Sequence, residues 1–189
     1  PLTRYHRSMP RPLVVSACIA HTLTLSVRAV EPPKPAEKWV ALEAGNFRFV
    51  SAVSSRQTLE IARGLLRMHA ALGKVSDFEL HTTEPTRVFV FRTQPGFSRY
   101  CEALLHSKCD AFTGLFVDGS SGDFILLAGD AKGGIDRVVY HELTHQLMAG
   151  SSAKLPTWLG EGLAEYFSTF RTVGAETRLG VPVEGHLQW

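Results

Sequence analysis

One helical segment constrains the fold more than any other part of the chain. The stretch VVYHELTHQLMAG places Val139, Leu143 and Leu147 at helical spacing, which predicts a buried apolar face. His141 and His145 are four residues apart. On an α-helix this spacing sets two imidazoles about 40° apart around the axis and about 6 Å apart along it. We therefore expect a helix that packs on a core and turns both histidines towards a cleft.

A second helix is predicted directly after the first. The stretch LPTWLGEGLAEYF follows a short loop and carries Glu161 and, one turn later, Glu165. We predict Asp136 as the N-cap and Gly150 as the C-cap of the first helix, and Thr157 as the N-cap of the second. The predicted buried stripe of the second helix consists of Leu159, Leu163, Tyr166, Phe167 and Phe170.

The two helices together supply the donors of a metal site. Two neutral imidazoles and one carboxylate are the ligand set of a catalytic zinc ion that keeps one position open for water. His141 and His145 offer the imidazoles, and Glu161 offers a carboxylate. Glu142 lies at the edge of the same helical face. The alternative is a pair of histidines on a solvated helix face without a metal, and the HExxH pattern alone does not exclude it.

HELTH followed by WLGEGLAEYF resembles the gluzincin zinc metallopeptidases, and most closely the bacterial Peptidase MA-like group. The likeness is strongest from about residue 114 to residue 170. It implies a zincin-like fold, Zn²⁺ as cofactor, and a peptide or protein substrate hydrolysed by a zinc-activated water. It also implies that His141, His145 and Glu161 bind the zinc ion and that Glu142 is the general base.

Glu161 and Glu165 share one helix face but cannot both bind the ion without closing the open position. We assign Glu161 to the metal, because it lies near the positive end of the helix dipole and matches the ligand position of the resembled family. Glu165 is then placed to accept a hydrogen bond from the non-ligating nitrogen of His141 or His145. The alternative for Glu165 is a solvated carboxylate.

Enzymes of the resembled type also use a tyrosine or histidine to stabilise the tetrahedral intermediate. Tyr166 and His186 are candidates by residue type alone. His69, His81 and His106 have no metal-ligand spacing and are expected to be surface or capping residues. The alternative function for the whole chain is a non-catalytic zinc-containing domain that binds peptides or envelope components. A domain that only binds has no chemical need for Glu142 beside the metal.

The rest of the chain predicts an α+β domain. NFRFVSAV and TRVFVFRT alternate like strands, RQTLEIARGLLRMHAALG has helical spacing, and residues 96–106 predict a short helix. GLFVDGSSGDFILLAG predicts two strands around a turn. We expect a small, mainly antiparallel sheet that precedes the two helices. The segment GDFILLAGD is expected to be an edge strand with which an extended peptide could pair.

The N-terminus predicts export from a bacterial cell. Basic residues precede the short apolar run LVVSACIAHTLTL, and VRA at residues 27–29 fits a cleavage site. We predict a signal peptide over 1–29, a Pro-rich linker over 30–45 and a zincin-like domain over 46–189. A buried strand is the alternative for the apolar run, which is too short for a stable membrane span. The missing initial Met and the abrupt end at Trp189 predict a fragment.

The charge pattern argues against a nucleic-acid partner. Four arginines precede the first acidic residue, Glu31, so 16 of the 20 basic residues remain to face 18 acidic ones in the rest of the chain. A concentrated basic face is therefore not expected.

The two cysteines that follow the predicted leader leave two alternatives open. Cys101 and Cys109 would lie about 12 Å apart on a continuous helix, beyond the reach of a disulfide. Either the helix ends near Ser107 and the bond forms, or both thiols are free.

Overall fold

The computed structural model describes residues 38–75, 84–119, 122–132, 134–149, 155–174 and 176–182. They form seven strands and four helices, which confirms an α+β fold. In chain order these are β1 (Val40–Ala44), β2 (Phe47–Ser51), α1 (Ser55–Val75), β3 (Thr86–Phe91), α2 (Gln94–Leu105), β4 (Gly114–Val117), β5 (Phe124–Ala128), α3 (Ile135–Ala149), α4 (Thr157–Ser168), β6 (Arg171–Val173) and β7 (Glu176–Arg178).

The main sheet is mixed, so the expectation of a mainly antiparallel sheet is wrong. Its strand order is β1-β2-β3-β5-β4, and β6 pairs with β7 in a separate hairpin. The β2–β3 and β3–β5 pairs are parallel, whereas the β1–β2 and β4–β5 pairs are antiparallel. The reason is the connection: α1 returns the chain from the end of β2 to the start of β3, which a tight hairpin cannot do.

The edge strand next to α3 is β4 and not the segment GDFILLAGD. That segment contains β5, which lies between β3 and β4 in the sheet. Four of its five residues are buried, as expected for an interior strand packed on both faces. The backbone groups on the outer side of this edge therefore belong to Gly114 and Phe116.

Helices cover both faces of the sheet. On one face, α1 and α3 bury apolar side chains against the strands, and Val139, Leu143 and Leu147 are fully buried as predicted. On the opposite face, α2 packs Phe97 and Cys101 against β3 and β5. The alternation of buried residues along the strands supplies both cores.

A buried polar contact fixes α3 on the sheet. Gln146 of α3 donates through Nε2 to Asp123 Oδ2 at 2.8 Å and also to Thr86 Oγ1. Thr86 begins β3 and Asp123 precedes β5. The contact therefore holds α3 over the centre of the sheet at Gln146, the residue that follows His145.

The predicted helix caps differ from the structure. α3 begins at Ile135, so Asp136 lies inside its first turn, and the C-cap candidate Gly150 lies outside the described residues. Thr157 is the first residue of α4, and Pro156 precedes it without a side-chain cap. Tyr166 does not belong to the buried stripe of α4, because half of its surface is exposed.

The folded domain begins before residue 46. Val40–Ala44 falls in the stretch expected as linker, yet it forms β1 and pairs with β2 from Val40↔Ser51 to Ala44↔Phe47. The Pro-rich composition of the preceding residues concealed this strand. The predicted signal peptide, residues 1–29, lies outside the described residues. Within the described part of the chain, no helix is both long and apolar enough to span a membrane.

Cys101 and Cys109 form a disulfide, which decides between the two alternatives. α2 ends at Leu105, and His106 adopts the left-handed conformation with φ 53°, its N–H donating to the carbonyl of Glu102. This reversal brings the two Cα atoms to 6.0 Å, within disulfide range. His106 is thus a capping residue, as predicted.

Candidate metal centre

Three predicted ligands converge between α3 and α4. His141 Nε2 and His145 Nε2 lie 3.1 Å apart. His141 Nε2 lies 3.4 Å from Glu161 Oε2, and His145 Nε2 lies 3.6 Å from Glu161 Oε1. With one donor atom taken from each residue, all three donors lie within 4.8 Å of one another. The two imidazoles and the carboxylate therefore surround a common point.

The spacing of these donors fits a small tetrahedral ion. Zinc binds imidazole nitrogen and carboxylate oxygen at about 2.0–2.2 Å, which separates neighbouring tetrahedral donors by about 3.3–3.6 Å. The two histidine nitrogens lie 3.1 Å apart, and each lies near this distance from a different oxygen of Glu161, 3.4 Å to Oε2 and 3.6 Å to Oε1. Burial, followed by the charge of His141, lowers the pKa of His145. A lowered pKa keeps the ring neutral and able to bind a cation.

Glu142 lies beside the ligands in a buried position. Burial raises the pKa of its carboxyl to about 8 in the metal-free protein, a backbone hydrogen bond from Phe116 lowers it, and the charge of Glu161 raises it further. Only 8% of the residue is exposed. A carboxyl group with a raised pKa, held by a backbone donor beside the three candidate ligands, is suited to exchange protons near neutral pH.

Glu165 faces the second nitrogen of one ligand. Its Oε2 lies 3.6 Å from His141 Nδ1, while His141 Nε2 points to Glu161. The other oxygen of Glu165 forms an ion pair with Arg137 of α3. Arg137 also donates through Nε to Ser168 Oγ at 3.3 Å. Glu165 is thus held between α3 and α4, on the side of His141 away from the common point.

A cavity of about 270 Å³ opens next to the centre. His141, Glu142 and Arg137 of α3 line it together with Glu165 of α4. The remaining lining comes from the start of β4 and the residues before it, with Val138, Lys132 and Ser168. The cavity offers room for part of a substrate beside the general-base candidate.

Two residues of the site escaped prediction from the sequence. Arg137 was not singled out, although its place four residues before His141 puts both side chains on one helix face. Gly114 was not singled out either, and it lies directly against Glu142. Tyr166 and His186 were the candidates for stabilising the tetrahedral intermediate. Tyr166 does not line the cavity, and His186 lies outside the described residues. His69 packs against Phe47 and does not belong to the group of three candidate ligands.

No protein-family model matches the sequence, and no curated protein matches it. The resemblance to gluzincins therefore stays a prediction from the motif residues.

Proposed function

We propose that the chain is a zinc-dependent metallopeptidase of gluzincin type. The observation that carries this proposal is the convergence of His141, His145 and Glu161 within 4.8 Å of one another, with the buried carboxyl of Glu142 beside them. A site that only bound zinc for stability would close all four positions with protein ligands. Here three donors converge, and the adjacent cavity, lined by His141 and Glu142, leaves room for water and part of a substrate.

Each residue then has a defined role in hydrolysis. His141, His145 and Glu161 would hold the ion, which supplies Lewis acidity that makes water nucleophilic near neutral pH and polarises a peptide carbonyl. Glu142 accepts a proton from the attacking water and donates it to the nitrogen of the departing amine. Glu165 keeps the Nδ1 side of His141 oriented, so that Nε2 faces the ion.

The edge of the sheet supports a peptide as substrate. β4 is the edge strand, and α3 packs against it. The carbonyl of Thr113 accepts from Ala128 of β5, so the backbone groups of Gly114 and Phe116 point to the other side of β4. The N–H of Phe116 already donates to Glu142, so an extended peptide would pair with the other outer groups, the N–H and carbonyl of Gly114 and the carbonyl of Phe116. Such a peptide would pass close to Glu142. Backbone pairing would bind many peptide sequences, and the cavity would then select among side chains.

Removal of the metal should abolish activity. We expect the purified domain to contain about one zinc per chain and to cleave members of a broad peptide library. A chelator should stop cleavage, and added zinc should restore it, because the ion makes the nucleophile. Elemental analysis and mass spectrometry of the library measure both effects. A zinc-containing domain that cleaves nothing in the library would favour the alternative, a non-catalytic peptide- or envelope-binding domain.

We further propose that the protein is exported by a bacterium. The disulfide between Cys101 and Cys109 supports an oxidising compartment, because such bonds are rare in reducing cytosol. Removal of a signal peptide over residues 1–29 should leave a mature protein that starts near Val30. Mass spectrometry of protein from its native host measures this terminus. Recovery of the intact leader on protein in the cytoplasm would contradict export.

A further inference from the structure

We propose that Gly114 is a positioning residue for Glu142. The missing side chain at the start of β4 makes room for the Glu142 carboxylate to lie against the strand, beside the metal ligands. The catalytic consequence rests on the proposed peptidase function, whereas the placement of Glu142 can be tested without activity.

The contacts around Gly114 leave no room for a methyl group. A Cβ atom at this position would lie 2.4 Å from Val138 Cγ1, 2.8 Å from Glu142 Oε1 and 3.0 Å from Glu142 Cγ. Cβ atoms essentially never approach other heavy atoms within 3.0 Å. The main-chain φ of Gly114 is not positive, so alanine could adopt this backbone. The requirement for glycine is therefore one of space between β4 and α3.

This space determines where the carboxylate can lie. Glu142 is anchored to β4 by the backbone N–H of Phe116, two residues after Gly114 and on the same side of the strand. A side chain at Gly114 would push the carboxylate away from this donor. His141 and His145 project from other positions of α3, and a methyl group at Gly114 would meet neither of them among its three nearest atoms. The general base would thus move while the metal ligands stay in place.

The first test compares Gly114→Ala with a matched control, Gly64→Ala. A Cβ atom at Gly64, in α1, would lie 2.6 Å from Tyr140 Oη of α3, so this substitution also crowds α3 but does not touch Glu142. We expect Gly114→Ala to keep its zinc and its KM while kcat falls about 10²-fold, the cost of a displaced catalytic group. Gly64→Ala should lose thermal stability with little change in kcat. Equal kcat losses in both variants would overturn the proposal.

A second variant separates the two overlaps at Gly114. Val138→Ala removes Cγ1, the nearest atom, and leaves only the overlap with Glu142. Compared with Val138→Ala alone, the double variant Val138→Ala/Gly114→Ala should fold normally and still show the fall in kcat. If the double variant has the kcat of Val138→Ala, crowding of Val138 caused the loss and the proposal is wrong.

The third measurement needs no activity. In the metal-free protein, amide hydrogen exchange at Phe116 should become at least about tenfold faster in Gly114→Ala, because the N–H loses its side-chain acceptor. Leu115, whose backbone faces β5, should exchange at its original rate. Unchanged exchange at Phe116 would overturn the placement of Glu142 by Gly114. A wild-type domain without peptidase activity would instead refute the proposed function, and the exchange result would still decide the positioning role.

Discussion

Glu142→Gln should retain its zinc and lose peptidase turnover by about 10²–10⁴-fold, the usual contribution of a general acid–base group. Glutamine preserves the size of the side chain and can still accept the N–H of Phe116. It cannot take a proton from water at neutral pH. The three predicted ligands are unchanged, so elemental analysis should give the wild-type zinc content while the rate of peptide cleavage falls.

Stability of the metal-free protein provides the control for this variant. The pKa of Glu142 is raised from 4.5 to about 8 in the folded chain, so the folded state binds more protons than the unfolded state between these two values. Stability of the wild type therefore falls as the pH rises through this range. Glutamine carries no charge, so the variant keeps this part of the free energy of unfolding. The wild type loses up to about 3 kcal/mol of it by pH 7.

Thermal melting of the two metal-free proteins should thus agree near pH 4.5 and separate towards pH 8, with Glu142→Gln the more stable. Such a result would show that loss of turnover is not loss of folding. Substantial peptidase activity in the purified variant would contradict the role of Glu142 as general base.

The convergence of the three candidate metal ligands could be predicted because it follows from local geometry. Two histidines four residues apart share a face of any α-helix. Three apolar residues on the opposite face determine which face of the helix is buried against the core. Val139, Leu143 and Leu147 are all fully buried, which leaves His141 and His145 at the cleft. Glu161 reaches the same point because only a short connection separates α3 from α4.

Features that depend on distant segments were harder to predict. The sheet order brings β5 between β3 and β4, and no local pattern distinguishes this from an edge position. The continuous apolar run of β5, Phe124–Ala128, was in fact the signal of an interior strand. β1 escaped prediction because it follows the Pro-rich stretch without a turn signal before it.

The contacts around the ligands required the packed structure. Gly114 matters only because β4 approaches α3 closely at Glu142, and a glycine at a strand start carries no such information by itself. Arg137 and Glu165 meet across the α3–α4 interface, 28 residues apart in the chain. The disulfide depends on the left-handed conformation of His106, and no glycine or proline at that position indicates the end of the helix.

Replacement of the two glutamates of α4 should separate their roles. Glu161→Ala should purify nearly free of zinc, because it removes one of the three proposed protein ligands. Glu165→Ala should bind zinc about 10–100-fold more weakly, the typical cost of losing a carboxylate that orients a ligand. Titration of the metal-free proteins with zinc against a competing chelator measures both affinities. Glu60→Ala, which removes a carboxylate from the exposed side of α1, is the matched control and should bind zinc like the wild type.

The distances support a larger loss of zinc affinity in Glu161→Ala than in Glu165→Ala. Glu161 approaches Nε2 of both histidines, whereas Glu165 approaches Nδ1 of His141 only and is neutralised by Arg137. A carboxylate paired with a guanidinium has less charge to offer a cation, and its position behind His141 favours holding the ring over binding the ion.

α4 begins at Thr157, so Glu161 is its fifth residue and lies just beyond the first turn, where the helix dipole gives only weak support. Proximity to both imidazoles is therefore the stronger reason for assigning the ion to Glu161. If Glu165→Ala lost its zinc while Glu161→Ala kept it, the two roles would be exchanged, and Arg137 would have to release Glu165 when the metal binds.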